Sequence, residues 1–267
     1  RLTCLLDGDM SLRATARTLA AIKETGCPVG WFNYGAWLPA DGVKLLRARR
    51  LAASAAGIPA PGFTAVCIRI DTEPDYRGSY EAVNPAMIGS MVDMFREESV
   101  PATFVTCAKL AEAQAPVLRA AAAAGHEIAV HAYDHEQLDA MEDDQQIAIV
   151  DKSTGIMRAL GFTPLGFGAP RNSITDGARN RLMELGYYYD GSAAFDPMIT
   201  DMEPSVVTHP DDHRRGIVVV PFVIPNDWDA RFVDGMNAGE MTARWLERLA
   251  ILRQRGAPCC VIDVHQW

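Results

Sequence analysis

Two carboxylates and three imidazoles carry the chemistry of this sequence. Asp71 and Glu73 follow the apolar run Val66–Ile70 and stand two apart. That spacing puts both side chains on one side of an extended strand. They emerge at its C-terminal end, where parallel α/β folds build their sites. His131 and His135 stand four apart, so one helical turn would present both on one face with convergent nitrogens. A carboxylate and two histidines from separate strand ends make a donor set for a catalytic divalent ion with an open position. His265 closes a third apolar run, Cys259–Val264. It stands where a general acid would be needed, and Asp263 on the same strand face is placed to orient it. His126 precedes its strand and reads as a packed or hydrogen-bonded residue. His209 and His213 lie in a loop rich in Pro, Asp and Arg and read as surface residues.

These side chains need strand ends to hold them, and the chain supplies an alternation of strands and helices. Strands are predicted at Leu2–Leu6, Val29–Asn33, Ala65–Ile70, Ala102–Thr106, Glu127–Val130, Tyr187–Tyr189, Ile217–Pro221 and Cys259–Val264. Helices are predicted at Leu12–Thr25, Pro85–Glu98, Pro116–Ala124, Asp144–Leu160, Asp176–Leu185 and Ala238–Arg255, where apolar residues recur at three and four. Such alternation implies a mostly parallel sheet covered by helices, an α/β fold. Gly125, Gly161, Gly186 and Gly256 follow helical stretches as C-terminal caps. The Ala, Gly and Pro-rich segment Ala52–Gly62 reads as a linker. Residues 1–62 are expected to form a βαβ-like segment and linker packed on or completing the barrel, and 63–267 the catalytic domain.

The 267 residues carry a net charge of −9, with 49% apolar and 22% charged residues. A sizeable core is available and nucleic acid is excluded as the main partner, since phosphate neutralisation needs a clustered positive face. The basic run Lys44–Arg50 reads as a solvated helix face, with an anionic lipid or sugar phosphate as the other reading. No apolar run approaches membrane-spanning length, and no signal peptide is visible in the early segment, which Asp7, Asp9 and Arg13 interrupt. The six cysteines lack zinc-site spacing and read as buried free thiols of a reducing compartment.

Three motifs in order resemble the NodB-type polysaccharide deacetylases, carbohydrate esterase family four. They are Gly125-His126-Glu127-Ile128 through His131, His135 and Leu138; Gly166-Phe167-Gly168-Ala169-Pro170 with Leu185–Ser192; and Val264-His265-Gln266-Trp267. Asp71-Thr72-Glu73 resembles variant subfamilies with an Asp-x-Glu first motif. The resemblance implies a distorted (β/α) barrel of mostly parallel strands. It implies Glu73, His131 and His135 as ligands of a divalent metal, zinc by default, with manganese, iron, nickel or cobalt open. It implies Asp71 as general base and His265 as the acid that protonates a leaving amine. Trp228, Pro170 and Tyr133 would contact substrate. Gly168 stands where the family has an arginine that orients the base, and Arg171 or Arg69 is expected to take over. The family domain continues beyond the position of Trp267 with a helix and a strand, a place that Leu2–Gly35 is expected to fill. The implied activity is removal of an acetyl or formyl group from an amino sugar, nucleotide-linked, lipid-linked or in a glycan, in bacterial surface-glycan or lipopolysaccharide biosynthesis. The expected location is cytoplasmic, with peripheral contact at the inner membrane. A ureide-type hydrolase and a catalytically weak glycan-binding member are the competing readings.

Overall fold

Every residue of strand β2 (Ala65–Thr72) from Val66 onward is buried, which requires cover on both faces of the sheet. Val66, Ile68 and Ile70 join the core under the helices. Cys67 points the other way, into a smaller cluster with Val105, Ala129, Val220, Phe222 and Val261. This alternation separates the outside of a barrel from its inside.

The structure is a computed structural model that describes residues 2–25, 27, 29–30, 64–74 and 85–266. The linker expected at 52–62, the basic run at 44–50, residues 31–33 of the second expected strand, Phe63 and Trp267 lie outside the described residues. Seven parallel strands close the barrel: β2, β3 (Thr103–Thr106), β4 (Glu127–Val130), β5 (Gly166–Phe167), β6 (Tyr189–Phe195), β8 (Gly216–Val223) and β9 (Cys259–His265). The expected distorted (β/α) barrel is therefore observed. The seam is the pairing of β9 with β2, in register from Ala65↔Cys259 to Asp71↔His265. β1 (Val29–Gly30) adds to β2 in parallel, and β7 (Ser205–Thr208) adds to β8 in antiparallel fashion.

The helices are α1 (Leu2–Glu24), α2 (Pro85–Glu97), α3 (Ala108–Ala123), α4 (Asp143–Ala159), α5 (Asp176–Glu184) and α6 (Ala238–Arg255). Three sequence expectations change. Leu2–Leu6 is the start of α1 and not a strand. The run Leu-Thr-Cys-Leu-Leu has a strand's hydrophobicity, but its three leucines are strong helix formers and only Thr is β-branched. α3 joins two helices across a kink at Gln114 (φ −123°): Pro116 stands in the first turn of the second, as expected, where its missing N–H is tolerated, while the helical stretch ahead of the kink was not expected. The two-residue β5 and the edge strand β7 were not expected. α1 packs against α6, α2 and β9, with Ala14, Leu19 and Ile22 fully buried. Thr18 Oγ1 and Thr242 Oγ1 meet 3.3 Å apart across the α1–α6 contact.

The described cysteines Cys27, Cys67, Cys107, Cys259 and Cys260 are free, and all but Cys259 are buried. No helix among the described residues is long and apolar enough to cross a membrane. His126 is packed as expected: Nδ1 accepts the Ala102 N–H at 3.1 Å, and the ring stands edge-on to Phe95 and Phe104. His209 is buried instead of on the surface, with Nδ1 accepting the Asp211 N–H.

Inside the barrel, Glu127 is a buried carboxyl whose Oε2 accepts from Thr103 Oγ1 at 2.9 Å, with Tyr189 beside it. Burial pushes Glu127 up to about 7, against the pull of these hydroxyls. The folded state thus holds its proton more tightly than the unfolded chain. Its stabilising contribution is present below about pH 4.5 and is lost as pH rises toward 7. The full loss is on the order of 3 kcal/mol. A Glu127→Gln variant is expected to flatten this slope. Chemical unfolding at pH 5 and pH 8 should show the variant gaining on the wild type at the higher pH; an unchanged difference between the two pH values would remove Glu127 from the account.

Candidate active site

The β2–β9 seam puts Asp71 beside His265 and Arg69 beside Asp263. The pleat turns all four toward the barrel axis, and all four are buried. Glu73 follows two residues after Asp71, just past the end of β2. Its backbone is clamped by Gln266, whose Oε1 accepts the Glu73 N–H at 3.1 Å and whose Nε2 donates to the Glu73 carbonyl at 2.6 Å.

His131 follows β4, and its Nδ1–H donates to the Gly168 carbonyl at 2.7 Å. That bond fixes the tautomer and aims Nε2 at Glu73 Oε2, 3.1 Å away. His135 Nε2 reaches the same oxygen at 2.7 Å. The segment between them is not the expected helical turn. Ala132 (φ 57°) and His135 (φ 56°) take left-handed backbone conformations, which cost about 1–3 kcal/mol each. Glu136 holds the turn by accepting the Tyr133 and Asp134 N–H groups at 3.1 and 2.9 Å, and Lys109 ties down Asp134. Donor atoms of Glu73, His131 and His135 lie within 4.8 Å of one another. One carboxylate oxygen facing two Nε2 atoms, one of them oriented from behind by a carbonyl, fits a divalent ion.

Burial raises the carboxyl of Glu73, but His265 and the bonds from His131 and His135 prevail and hold it well below its usual value. Burial lowers His135, and the hydrogen bond and charge of Glu73 outweigh it, raising the imidazole.

Asp71 is oriented by Arg69. Arg69 Nε donates to Oδ1 and Nη2 to Oδ2, each at 2.7 Å, in a bidentate pair. Nη1 donates to the Gly191 carbonyl at 2.7 Å, and the guanidinium lies over the Phe222 ring at 4.8 Å. Burial works to raise Asp71, but Arg69, His131 and His265 together keep it below its ordinary value. Arg171 does not take this role. It is exposed on the 3-10 turn Pro170–Asn172, with φ 57°. The glycine at 168 explains how Arg69 fits: a Cβ there would meet Arg69 Nη2 at 3.0 Å and Val105 Cγ1 at 3.1 Å.

His265 is held by Asp227 and not by Asp263. Its Nδ1–H donates to Asp227 Oδ1 at 2.6 Å, and its backbone N–H donates to Oδ2 at 2.9 Å. Nε2 faces Glu73 Oε1 at 3.5 Å. Burial lowers His265, but the charges of Asp227 and Glu73 raise it well above its ordinary value. Asp263 instead sits 3.2 Å from Arg69 Nε and accepts from Asn226 Nδ2 at 3.2 Å. Burial and the nearby Asp71 charge push it up to about 8.

Of the expected substrate contacts, Trp228 is open, 39% exposed and beside Phe232 with ring centroids 5.8 Å apart. Pro170 is buried, and the Tyr133 ring lies under Lys152 Nζ at 3.2 Å. Asp227 and Gln266 were missed by sequence reasoning. Asp227 adjoins Trp228, and Gln266 adjoins His265, so adjacency to the chosen residues was the available signal.

The chain resembles several known proteins in sequence or in fold. Residues 65–189 match the model of the polysaccharide deacetylase family. A peptidoglycan deacetylase of Helicobacter pylori is 26% identical over 161 residues, 59% of this chain and 53% of that protein. The chain thus spans about half the length of this curated relative. A protein assigned as a polysaccharide deacetylase from Pseudomonas aeruginosa superposes with a TM-score of 0.64 at 20% identity, covering 81% of this chain and 84% of that one. The Puue allantoinase superposes with a TM-score of 0.63 at 20% identity, covering 81% and 83%. A Mycobacterium smegmatis protein assigned as a polysaccharide deacetylase gives 0.56 at 23%, covering 75% and 77%. These superpositions show a shared barrel. The likeness to the polysaccharide deacetylase family itself extends over residues 65–189.

Proposed function

We propose that this protein is a metal-dependent hydrolase that removes an N-acyl group, acetyl or formyl, from an amino sugar used in bacterial surface-glycan synthesis. The observation that carries the reading is the convergence of two differently supported groups on one donor set. Asp71, gripped by Arg69, and His265, gripped by Asp227, flank Glu73, His131 and His135. A divalent ion held by those three would polarise the amide carbonyl and acidify a water. Asp71, kept ionised by Arg69, takes the proton of the attacking water. His265, kept as an imidazolium by Asp227, gives a proton to the leaving amine. The two tasks need opposite protonation states at one pH, and the neighbours of Asp71 and His265 supply them. Trp228 offers an exposed apolar face on which a sugar ring can stack.

The departure at Gly168 favours a glycan-binding member only while Asp71 lacks a guanidinium. Arg69 supplies one, and this supports turnover. The test measures bound metal and the release of acetate or formate from N-acyl hexosamines carried on a nucleotide, a lipid or an oligosaccharide. Release that stops with a chelator and returns with zinc is the expected result. Turnover of ureides without turnover of any acyl sugar, or bound metal with no release, would overturn it.

A further inference from the structure

The acid's carboxylate has a second holder, and it comes from the opposite end of the chain. Ser11, in the middle of α1, donates its hydroxyl to Asp227 Oδ2. Oδ2 also accepts the backbone N–H of His265, while Oδ1 accepts His265 Nδ1. Ser11, Asp227 and His265 are exposed by only 6%, 2% and 6%, so water does not compete freely for these bonds. α1 itself is fixed by its packing on α6 and by Thr242 Oγ1, which donates to the Ala14 carbonyl at 3.2 Å. It lies outside the matched segment 65–189.

We propose that Ser11 is a positioning residue of the active site: by holding Asp227 Oδ2 it fixes the carboxylate plane, and through it the ring of His265. The other two bonds to the Asp227 carboxylate both come from His265 itself, so carboxylate and ring can shift together; a donor from a rigid helix holds the carboxylate from outside that pair. The helix thereby completes the acid side of the site, although it touches no reacting atom. This inference rests on His265 being the acid.

Thr15 provides an internal control. It is also buried on α1, one turn further on, but its hydroxyl donates to the Ser11 carbonyl and not to Asp227. Three variants of the full chain, Ser11→Ala, Ser11→Thr and Thr15→Val, would be compared by proton NMR in a diamagnetic sample and by kinetics. A low-field resonance that His265→Gln abolishes identifies the Nδ1 proton. Ser11→Ala is expected to shift that resonance and to lower kcat about tenfold, with KM little changed. Ser11→Thr is expected to restore both, and Thr15→Val to leave both in place. The NMR readout needs no substrate, so it stands even if the assigned reaction is wrong. A resonance and kcat unmoved by Ser11→Ala, or moved as far by Thr15→Val, would overturn the proposal.

Discussion

An Arg69→Ala variant is expected to lose at least about a hundredfold in kcat, the scale of a displaced general base, and still to take up its metal. Arg69 touches Asp71 and Asp263 but none of Glu73, His131 and His135. Its removal leaves two buried carboxyls without their cation, so a stability loss of about 3–5 kcal/mol accompanies the kinetic one. A second variant separates the two effects. In Arg69→Ala/Gly168→Arg the new Cβ starts beside the vacated guanidinium position, since a Cβ at residue 168 would stand 3.0 Å from Arg69 Nη2 and 3.2 Å from Arg69 Cζ. An arginine entering from just past β5 would meet Asp71 from that place. The double variant is expected to recover activity to within about tenfold of the wild type, while Gly168→Arg alone is expected to unfold or lose activity by collision. Circular dichroism confirms folding, and steady-state kinetics gives the result. A folded Arg69→Ala protein with wild-type kcat would show that Asp71 needs no guanidinium.

The second large effect concerns Glu73. One of its oxygens faces Nε2 of both histidines, so Glu73→Ala removes the only carboxylate in that triad. Metal content is expected to fall from about one equivalent to near zero, and activity by at least about a thousandfold. Glu73→Ala also removes the negative charge that faces His135 and His265, so the apoprotein's imidazoles should lose protons at lower pH than in the wild type. Full metal occupancy in Glu73→Ala, read by elemental analysis, would refute the ligand assignment.

The candidate site residues were legible because each lies at or shortly after a strand end marked by a local pattern. Asp71 and Glu73 announce themselves through the period of two, His131 and His265 through the apolar runs they follow, and His135 through its spacing of four from His131. Their supports were not legible, because register and not local sequence chooses them. Asp263 shares a strand face with His265, yet Asp227, 38 residues away, makes the bond. Arg171 was placed among the catalytic residues with Arg69 as its alternative, and the pleat of β2, which puts Arg69 on the face of Asp71, decides for Arg69. The bond from Ser11 to Asp227 crosses 216 residues, beyond any window of periodicity. The turn at His131–His135 escaped for another reason: a spacing of four fits a helix, but here a left-handed bend brings the two rings to 5.2 Å.

The seam between β2 and β9 also sets a timetable. β2 precedes every other barrel strand in the chain and β9 follows them all, so the barrel's first strand must wait for its last before Asp71 meets His265. Loop-closure entropy makes such a distant pairing slow relative to local helix formation. A nascent chain on the ribosome therefore holds β2 with one edge unpaired, and Asp71 and His265 remain apart until synthesis has passed His265. Closing the barrel and bringing Asp71 beside His265 are the same event, so under the proposed mechanism a partly folded chain is expected to carry no partial activity.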